Sequence, residues 1–408
     1  MTTTKQGPTA ASERLIHIDV IRGFAVLGIL TVNMMYFAWP AYHELVGIEL
    51  SRSRADHLVE NAVRLLAEGK FLTMFSLLFG VGVVMLLERA EAAGADARRL
   101  LVRRMVVLLG IGLIHTVFVW VHDVLVYFAL IGFVLLLFRD TPAEELPRWI
   151  AVVLLLPVVG TLAIAGINTF TGRTAAGAAE LQATVADQQA WFGELYKRAF
   201  EAYARGSYLQ VTAQRLFDFA IEFVGGFLMS SFFLILAMFL TGLYIGRRGL
   251  LRDASSRLDW WKRTLKRAAP VGLLGSLLLT YGHWTGEPVA RSWPLVMRAV
   301  GTFVGAPALC LVYVSALVLL MHRPLARSLL TPLAPVGRMA LSNYLLQSLI
   351  CTTVFYGYGF GLFGRVGPAQ GLVLTVVIFG MQIVLSNIWL RILPYGPAEL
   401  LWRRLTYR

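Results

Sequence analysis

Apolar residues run through this chain in long blocks rather than in short alternating stretches. A helix crossing a hydrocarbon core needs roughly 20 such residues. Ten blocks near that length can be marked, at 17–39, 71–88, 100–118, 122–138, 148–170, 223–246, 268–284, 295–321, 333–357 and 368–391. The pattern predicts an all-α, polytopic integral membrane protein of about ten transmembrane helices. It divides into a cytoplasmic polar tail (1–16), a five-helix membrane half (17–170), an extracytoplasmic helical segment (171–222), a second five-helix half (223–391) and a cytoplasmic terminal helix (392–408). Segment 171–222 opens small and polar in "TGRTAAGAAE" and then turns amphipathic. Trp191, Leu195, Ala199 and Ala202 recur there at helical spacing, which predicts a helix lying on the membrane or capping a cavity.

Composition strengthens this reading. The 408 residues are 57% hydrophobic and 15% charged, with a mean hydropathy of +0.67. Soluble proteins average about 45–50% apolar and about 25% charged. The net charge of +13 points away from nucleic acid once its placement is read. Most Lys and Arg residues fall in alternate connections, including the run "RRGLLRDASSRLDWWKRTLKR" at 247–267. That bias puts both termini in the cytoplasm. The basic run reads either as a loop touching anionic headgroups or as a dock for a phosphate-bearing ligand such as coenzyme A. Cys310 and Cys351 both lie inside apolar runs, so neither a disulfide framework nor a metal site is indicated. The first apolar run is too long for a signal-peptide core and has no evident cleavage site, which predicts an uncleaved first span.

Polar residues inside the apolar blocks are the candidate chemistry. The first span reads "IDVIRGFAVLGILTVN", with Asp19 and Arg22 near its inner end and Asn33 toward its outer end. Asp19 and Arg22 are three apart, close enough to pair. Arg22 and Asn33 are about three turns and ~16 Å apart on one face. Such groups face a bundle interior or a wet cavity; the plainer alternative is an interfacial anchor plus interhelical glue. In "GLIHTVFVWVHDVLVYFAL", a tight hairpin brings His115 toward Asp123, with Tyr127 one turn below. A carboxylate beside an imidazole orients a general base, or simply locks a hairpin. His122 reads as interfacial. Lys70 reads as snorkelling, with an anion-holding role as the alternative. Arg103 and Arg104 begin the third span from the inside and read either as interface charges that need no function or as a phosphate-holding pair at a cytosolic entrance. Asn343 and Gln347 share a face and either bond between helices or line a substrate path. Near the end, Pro397 fits a first helical position, and Glu399 and Arg403 are four apart.

Several stretches resemble the YeiB family of bacterial inner-membrane proteins, long labelled a domain of unknown function. They are "IHIDVIRGFAVLGILTVN", "GKFLTMFSLLFGVG", "RRMVVLLGIGLIHTVFVWVHDVLVYFALIG", "YARGSYLQVTAQR", "GRMALSNYLLQSLI" and "YGPAELLWRRLTY". That family is distantly similar to membrane acyltransferases, namely the acyltransferase-three group and the lysosomal heparan-glucosaminide N-acetyltransferase. The first group carries an Arg followed eleven residues later by a His on its first span. Here Arg22 matches the Arg, and Asn33 stands where the His would be. The resemblance implies acyl transfer from a cytosolic acyl-coenzyme A to a small-molecule or glycan acceptor outside, and the lysosomal relative implies a homodimer.

Three readings stay open at this point. In the first, an acyltransferase uses His115 as base, Asp123 to orient it and Asn33 to hold the oxyanion. Asp19, Arg22, Lys70, Arg103, Arg104, Tyr127, Asn343 and Gln347 would then serve donor or acceptor. In the second, a transporter or lipid-handling protein uses the same polar seam. In the third, the chain is a non-catalytic membrane scaffold. No phosphate-binding lysine loop, dinucleotide fingerprint, His-Glu-x-x-His or paired-cysteine zinc motif is present, which counts against ATP-driven transport and metal hydrolysis.

Overall fold

A computed structural model describes residues 16–225, 231–285 and 292–407. Among the described residues every regular element is helical. In chain order these are α1 (Ile16–Ala38), α2 (Arg54–Leu66), α3 (Lys70–Ala92), α4 (Ala97–Phe118), α5 (Val124–Val134), α6 (Leu146–Thr171), α7 (Ala175–Arg205), α8 (Tyr208–Glu222) and α9 (Phe232–Arg247). There follow α10 (Leu258–Thr285), α11 (Ser292–Val300), α12 (Ala306–Leu320), α13 (Pro324–Leu330), α14 (Leu333–Arg338), α15 (Ala340–Phe355), α16 (Pro368–Ile392) and α17 (Pro397–Tyr407).

Among the described residues, six helical stretches are long and apolar enough to cross a membrane: α1, the α2–α3 stretch, α4, α6, α11–α12 and α16. Three shorter apolar helices accompany them, Val124–Phe138, Phe232–Arg247 and Ala340–Phe355. The centre of the bundle is α3 lying along α9, with α1, α4 and α12 around α3. The α3–α9 contact is close because glycines meet there. A Cβ on Gly242 would come within 2.8 Å of the Gly80 Cα, and Phe79 and Phe239 stack beside it at 4.6 Å between centroids. By contrast α6 is almost entirely exposed along its apolar length, as a helix facing lipid would be.

The contacts sort the helix ends into two groups. At one end, His17 meets the Leu251 carbonyl, Trp402 donates to the Arg104 carbonyl at 3.1 Å, and Arg338 donates to the Pro394 carbonyl. Thus α1 begins and α17 ends at the same, basic end. At the other end α7 and α8 form a roof, with Tyr208 donating to the Phe118 carbonyl at 2.7 Å.

Several boundaries differ from the sequence reading. The block 333–357 is two helices, broken at Met339 (φ −107°, ψ 30°), because α14 presses its Gly337 against α1 at the Asp19 carbonyl. The block 268–284 is the apolar second half of α10, whose basic first turns begin at Leu258. Apolar block 122–138 becomes helical at Val124 and tightens into a 3₁₀ turn at Leu135–Phe138. In block 223–246 the regular helix spans Phe232–Arg247, and 226–230 lie outside the described residues. The helix α2 was not foreseen: its mixed composition hides it, yet Ser53 and Asp56 form a reciprocal capping box at its start. Finally, α7 starts at Ala175, capped by Thr174, so "TGRTAAGAAE" is mostly helix.

Candidate functional site

Under the α7–α8 roof lies a cavity of about 1070 Å³. Its walls come from α1 (Ile29, Asn33, Tyr36), the turn after α1, the start of α3, the α4–α5 connection, α7, α8 and the start of α9. Most of the lining is aromatic or aliphatic, with a few polar groups, the usual make-up of a small-molecule site. Those groups include Asn33, Glu68, His122, Asp123, Tyr127, Asp218 and Glu222.

The connection "VWVHD" between α4 and α5 is short, so its geometry is set by the two helices it joins. The N–H groups of Val119 and Trp120 both donate to the His115 carbonyl, closing α4. Asp123 caps α5 by accepting from the Val126 N–H at 3.1 Å. His122 is thereby turned into the cavity, between the rings of Tyr36 (5.5 Å) and Trp120 (5.4 Å). Trp120 is fully buried and stacks on Phe37 at 4.0 Å. The His122 Nδ1 donates to a Glu222 carboxylate oxygen at 2.8 Å. Burial works against the imidazolium, but the Glu222 charge and this hydrogen bond outweigh it and raise the His122 pKa above its ordinary 6.5.

Helix α8 supplies the carboxylates. Ser207 and Gln210 cap its start reciprocally, and the fully buried Arg215 ties it to the Val117 carbonyl and the Tyr358 hydroxyl. Asp218 accepts from Tyr42 (2.9 Å), Gln214 (2.8 Å) and Tyr203 (2.7 Å). Burial pushes the Asp218 carboxyl up, although those donors pull the other way. Burial, with the Asp218 charge beside them, also drives the Tyr42 and Tyr203 hydroxyls well above their ordinary value.

The residues singled out in the sequence divide clearly. His115 and Asp123 do meet, Nδ1 to Oδ1 at 3.0 Å, and Tyr344 donates to the same oxygen at 3.1 Å. However, His115 is buried behind the wall; its Nε2 has no partner among the described residues, and it does not line the cavity beside Asn33. Asp123, Tyr127 and Asn33 do line it. Asp19 and Arg22 pair at 3.1 Å at the basic end, where Arg22 also reaches the Gly337 carbonyl, and neither borders the cavity. Lys70 does not snorkel: it is fully buried and donates to the Arg64 carbonyl at 2.8 Å, satisfying the end of α2. Arg103 and Arg104 part company. Arg103 is exposed, while Arg104 stacks over the Trp402 ring at 4.1 Å. Asn343 and Gln347 are buried away from the cavity, bonding to Ser386 (3.0 Å) and Gln382 (2.8 Å) of α16.

His122, read as interfacial, lines the cavity, and so do Glu222 and Asp218, which the sequence reading does not single out. A signal existed, since Arg215, Asp218 and Glu222 follow i, i+3, i+7 spacing in "RLFDFAIE" and share one face of α8. That face is the buried one.

Among the described residues, fold and site together define an all-helical membrane protein with a large polar-edged cavity beneath the α7–α8 roof. The comparisons give its family. The curated relatives include the uncharacterized protein YxaH of Bacillus subtilis (strain 168), 33% identical over 98% of this chain and 96% of the relative. The uncharacterized protein YeiB of Escherichia coli (strain K12) is 31% identical over 97% of each. The family described as "Protein of unknown function (DUF418)" matches residues 245–408. The chain belongs to this YeiB/DUF418 family. No solved structure matches it.

Proposed function

We propose that the chain is a transmembrane acyltransferase whose acceptor site is the cavity under α7 and α8 and whose base is His122. The observation that carries this reading is the His122–Glu222 pair on the wall of a cavity of about 1070 Å³, with the Asn33 amide on the same wall. With Nδ1 held by Glu222, the other imidazole nitrogen is left to take a proton from an acceptor hydroxyl or amine. Asn33 then supplies a hydrogen bond to the oxygen on which charge develops.

The proposed topology is ten crossings of a bacterial cytoplasmic membrane. The basic end, with both chain termini, faces the cytosol under the positive-inside rule, and the roof lies outside. The donor is a cytosolic acyl-coenzyme A, which supplies the activated acyl group. The exposed Arg103 suits its phosphates. Arg104, held against Trp402, is less suited.

The test is transfer or hydrolysis of labelled acyl-coenzyme A by purified protein, compared with His122→Gln. Turnover that disappears in the variant supports the proposal, and absence of both turnover and thioester binding overturns it. The largely apolar walls favour one alternative, a carrier for an amphiphile, which predicts ligand binding without turnover.

A further inference from the structure

We infer that the cavity selects an organic cation carried on an apolar body. This rests on the cavity being the substrate site proposed above and adds the chemical class of what enters it.

The charged groups facing the cavity are Glu68, Asp123, Asp218 and Glu222; the His122 imidazole faces Glu222 from the same lining, and His283 lies behind the wall with its Nε2 3.5 Å from Glu68. Among the described residues no Lys or Arg borders it. The nearby cations are directed elsewhere. Arg215 is held by the Val117 carbonyl and Tyr358, Arg198 by Gln214 and the Phe217 ring, and Arg64 by Glu44 and Glu60. An anion entering here would meet carboxylates without a direct counter-ion.

The walls between these carboxylates are π-faces, including Tyr36, Trp39, Tyr42, Phe192, Tyr203 and Tyr356. Aromatic faces around a carboxylate are how proteins hold quaternary ammonium and related cations.

Glu222 is the carboxylate best placed to receive the cation, because its present partner can give way. When His122 is neutral, the bound cation takes the place of the imidazolium beside Glu222.

The experiment uses the full-length protein in discs of zwitterionic lipid, with empty discs subtracted, at alkaline pH where His122 is neutral. Two probes of the same size and shape but opposite charge are compared, tetraphenylphosphonium and tetraphenylborate. The inference expects saturable binding of the cation only. Glu222→Gln, which keeps an acceptor for His122, should weaken it about tenfold or more. Saturable binding of the borate at equal or higher affinity overturns the inference, as does cation binding indifferent to Glu222→Gln. Acyl turnover without cation binding would remove this inference and leave the proposed function standing. Cation binding without acyl turnover would support this inference and favour the carrier alternative for the same site.

Discussion

The His122 Nδ1 lies 2.8 Å from a carboxylate oxygen of Glu222, a residue 100 positions further along the chain, and both border the same cavity. One side of the pair comes from a five-residue turn between two helices and the other from the last residue of α8. The two therefore meet only if the roof is docked on the bundle, so the pair reports on the fold as well as on the site.

The pair sets a pH profile. Glu222 raises the His122 pKa above its ordinary 6.5, so the base is neutral only above that raised value. Activity should climb with pH through an apparent pKa above 6.5. Glu222→Gln removes the raising charge and leaves the burial, so the midpoint should move down. The contribution of the pair to stability has the opposite trend: it is fully present below pH 6.5 and is lost as pH rises through the raised folded value. A pH–rate profile of wild type and variant checks the first point, and thermal unfolding across the same range checks the second.

The His115–Asp123–Tyr344 cluster should behave as structure. Asp123 accepts from His115 and Tyr344 while capping α5, all in a fully buried position. Tyr344→Phe removes two hydrogen bonds, the one donated to Asp123 and the one accepted from the Val124 N–H at 3.3 Å, and should cost about 1–2 kcal/mol. Asp123→Ala leaves several buried donors unpaired and should cost about 3 kcal/mol or more. Unfolding in detergent measures both. If His115 is only structural, His115→Asn should retain turnover in whatever fraction folds, whereas His122→Gln should not.

The helix inventory was largely legible in the sequence, because a membrane helix advertises itself through apolar length alone. The bundle position of a polar residue is another matter. Asn33 and Asp123 were found because they interrupt apolar runs, and both do line the cavity. Lys70 interrupts one too, yet it serves the end of α2, a helix whose mixed composition gave no warning of its presence. Glu222 and Asp218 lay in a segment already polar, where one more carboxylate carries no signal unless its helical face is compared with the buried one. Arg403 stands four residues from Glu399, but it stacks on Tyr395 and Tyr407 while Glu399 turns to the start of α15. Spacing identifies which groups are able to meet; competing partners decide which do.

Glu399 accepts from the Leu341 N–H at 2.8 Å and the Ser342 N–H at 3.1 Å, and also meets the Ser342 hydroxyl. It thus caps α15 from a different helix, with its charge at the positive end of the helix dipole. Glu399→Ala should cost about 1–2 kcal/mol and loosen α17. The loosening is measurable as faster proteolysis after Arg403 or Arg404.

The amides between α15 and α16 predict a non-additive pair. Gln347 donates to the Gln382 side-chain oxygen at 2.8 Å, and Gln382 donates to the Asn343 carbonyl at 2.8 Å. Either single change to Leu strands a buried amide group, at about 1–3 kcal/mol. The double change to Leu removes both polar groups together and should recover part of that loss. A double-mutant cycle on thermal stability decides it, and simple additivity would contradict the paired geometry.

Asp218 holds the roof to the turn after α1, through Tyr203 on α7, Gln214 on α8 and Tyr42. Asp218→Ala leaves three donors without this acceptor and should cost about 1–3 kcal/mol for the first that finds no substitute, separating α7 and α8 from the bundle before the bundle itself unfolds. Asp218→Asn keeps one acceptor oxygen, and the Tyr203 hydroxyl can turn to accept from the new amide, so the loss should be smaller. The variants also differ from wild type in their pH dependence. The Asp218 pKa is raised above 3.8 mainly by burial, so the folded roof holds this proton more tightly than the unfolded chain does. Its contribution to stability is full below pH 3.8 and declines as pH rises through the raised value. Asn does not titrate, so that decline should be absent from the variant. Proteolysis within α7 and α8, followed from mildly acidic to neutral pH, measures the difference. Equal pH dependence in Asp218→Asn and wild type would show that the roof is held by something other than this carboxyl.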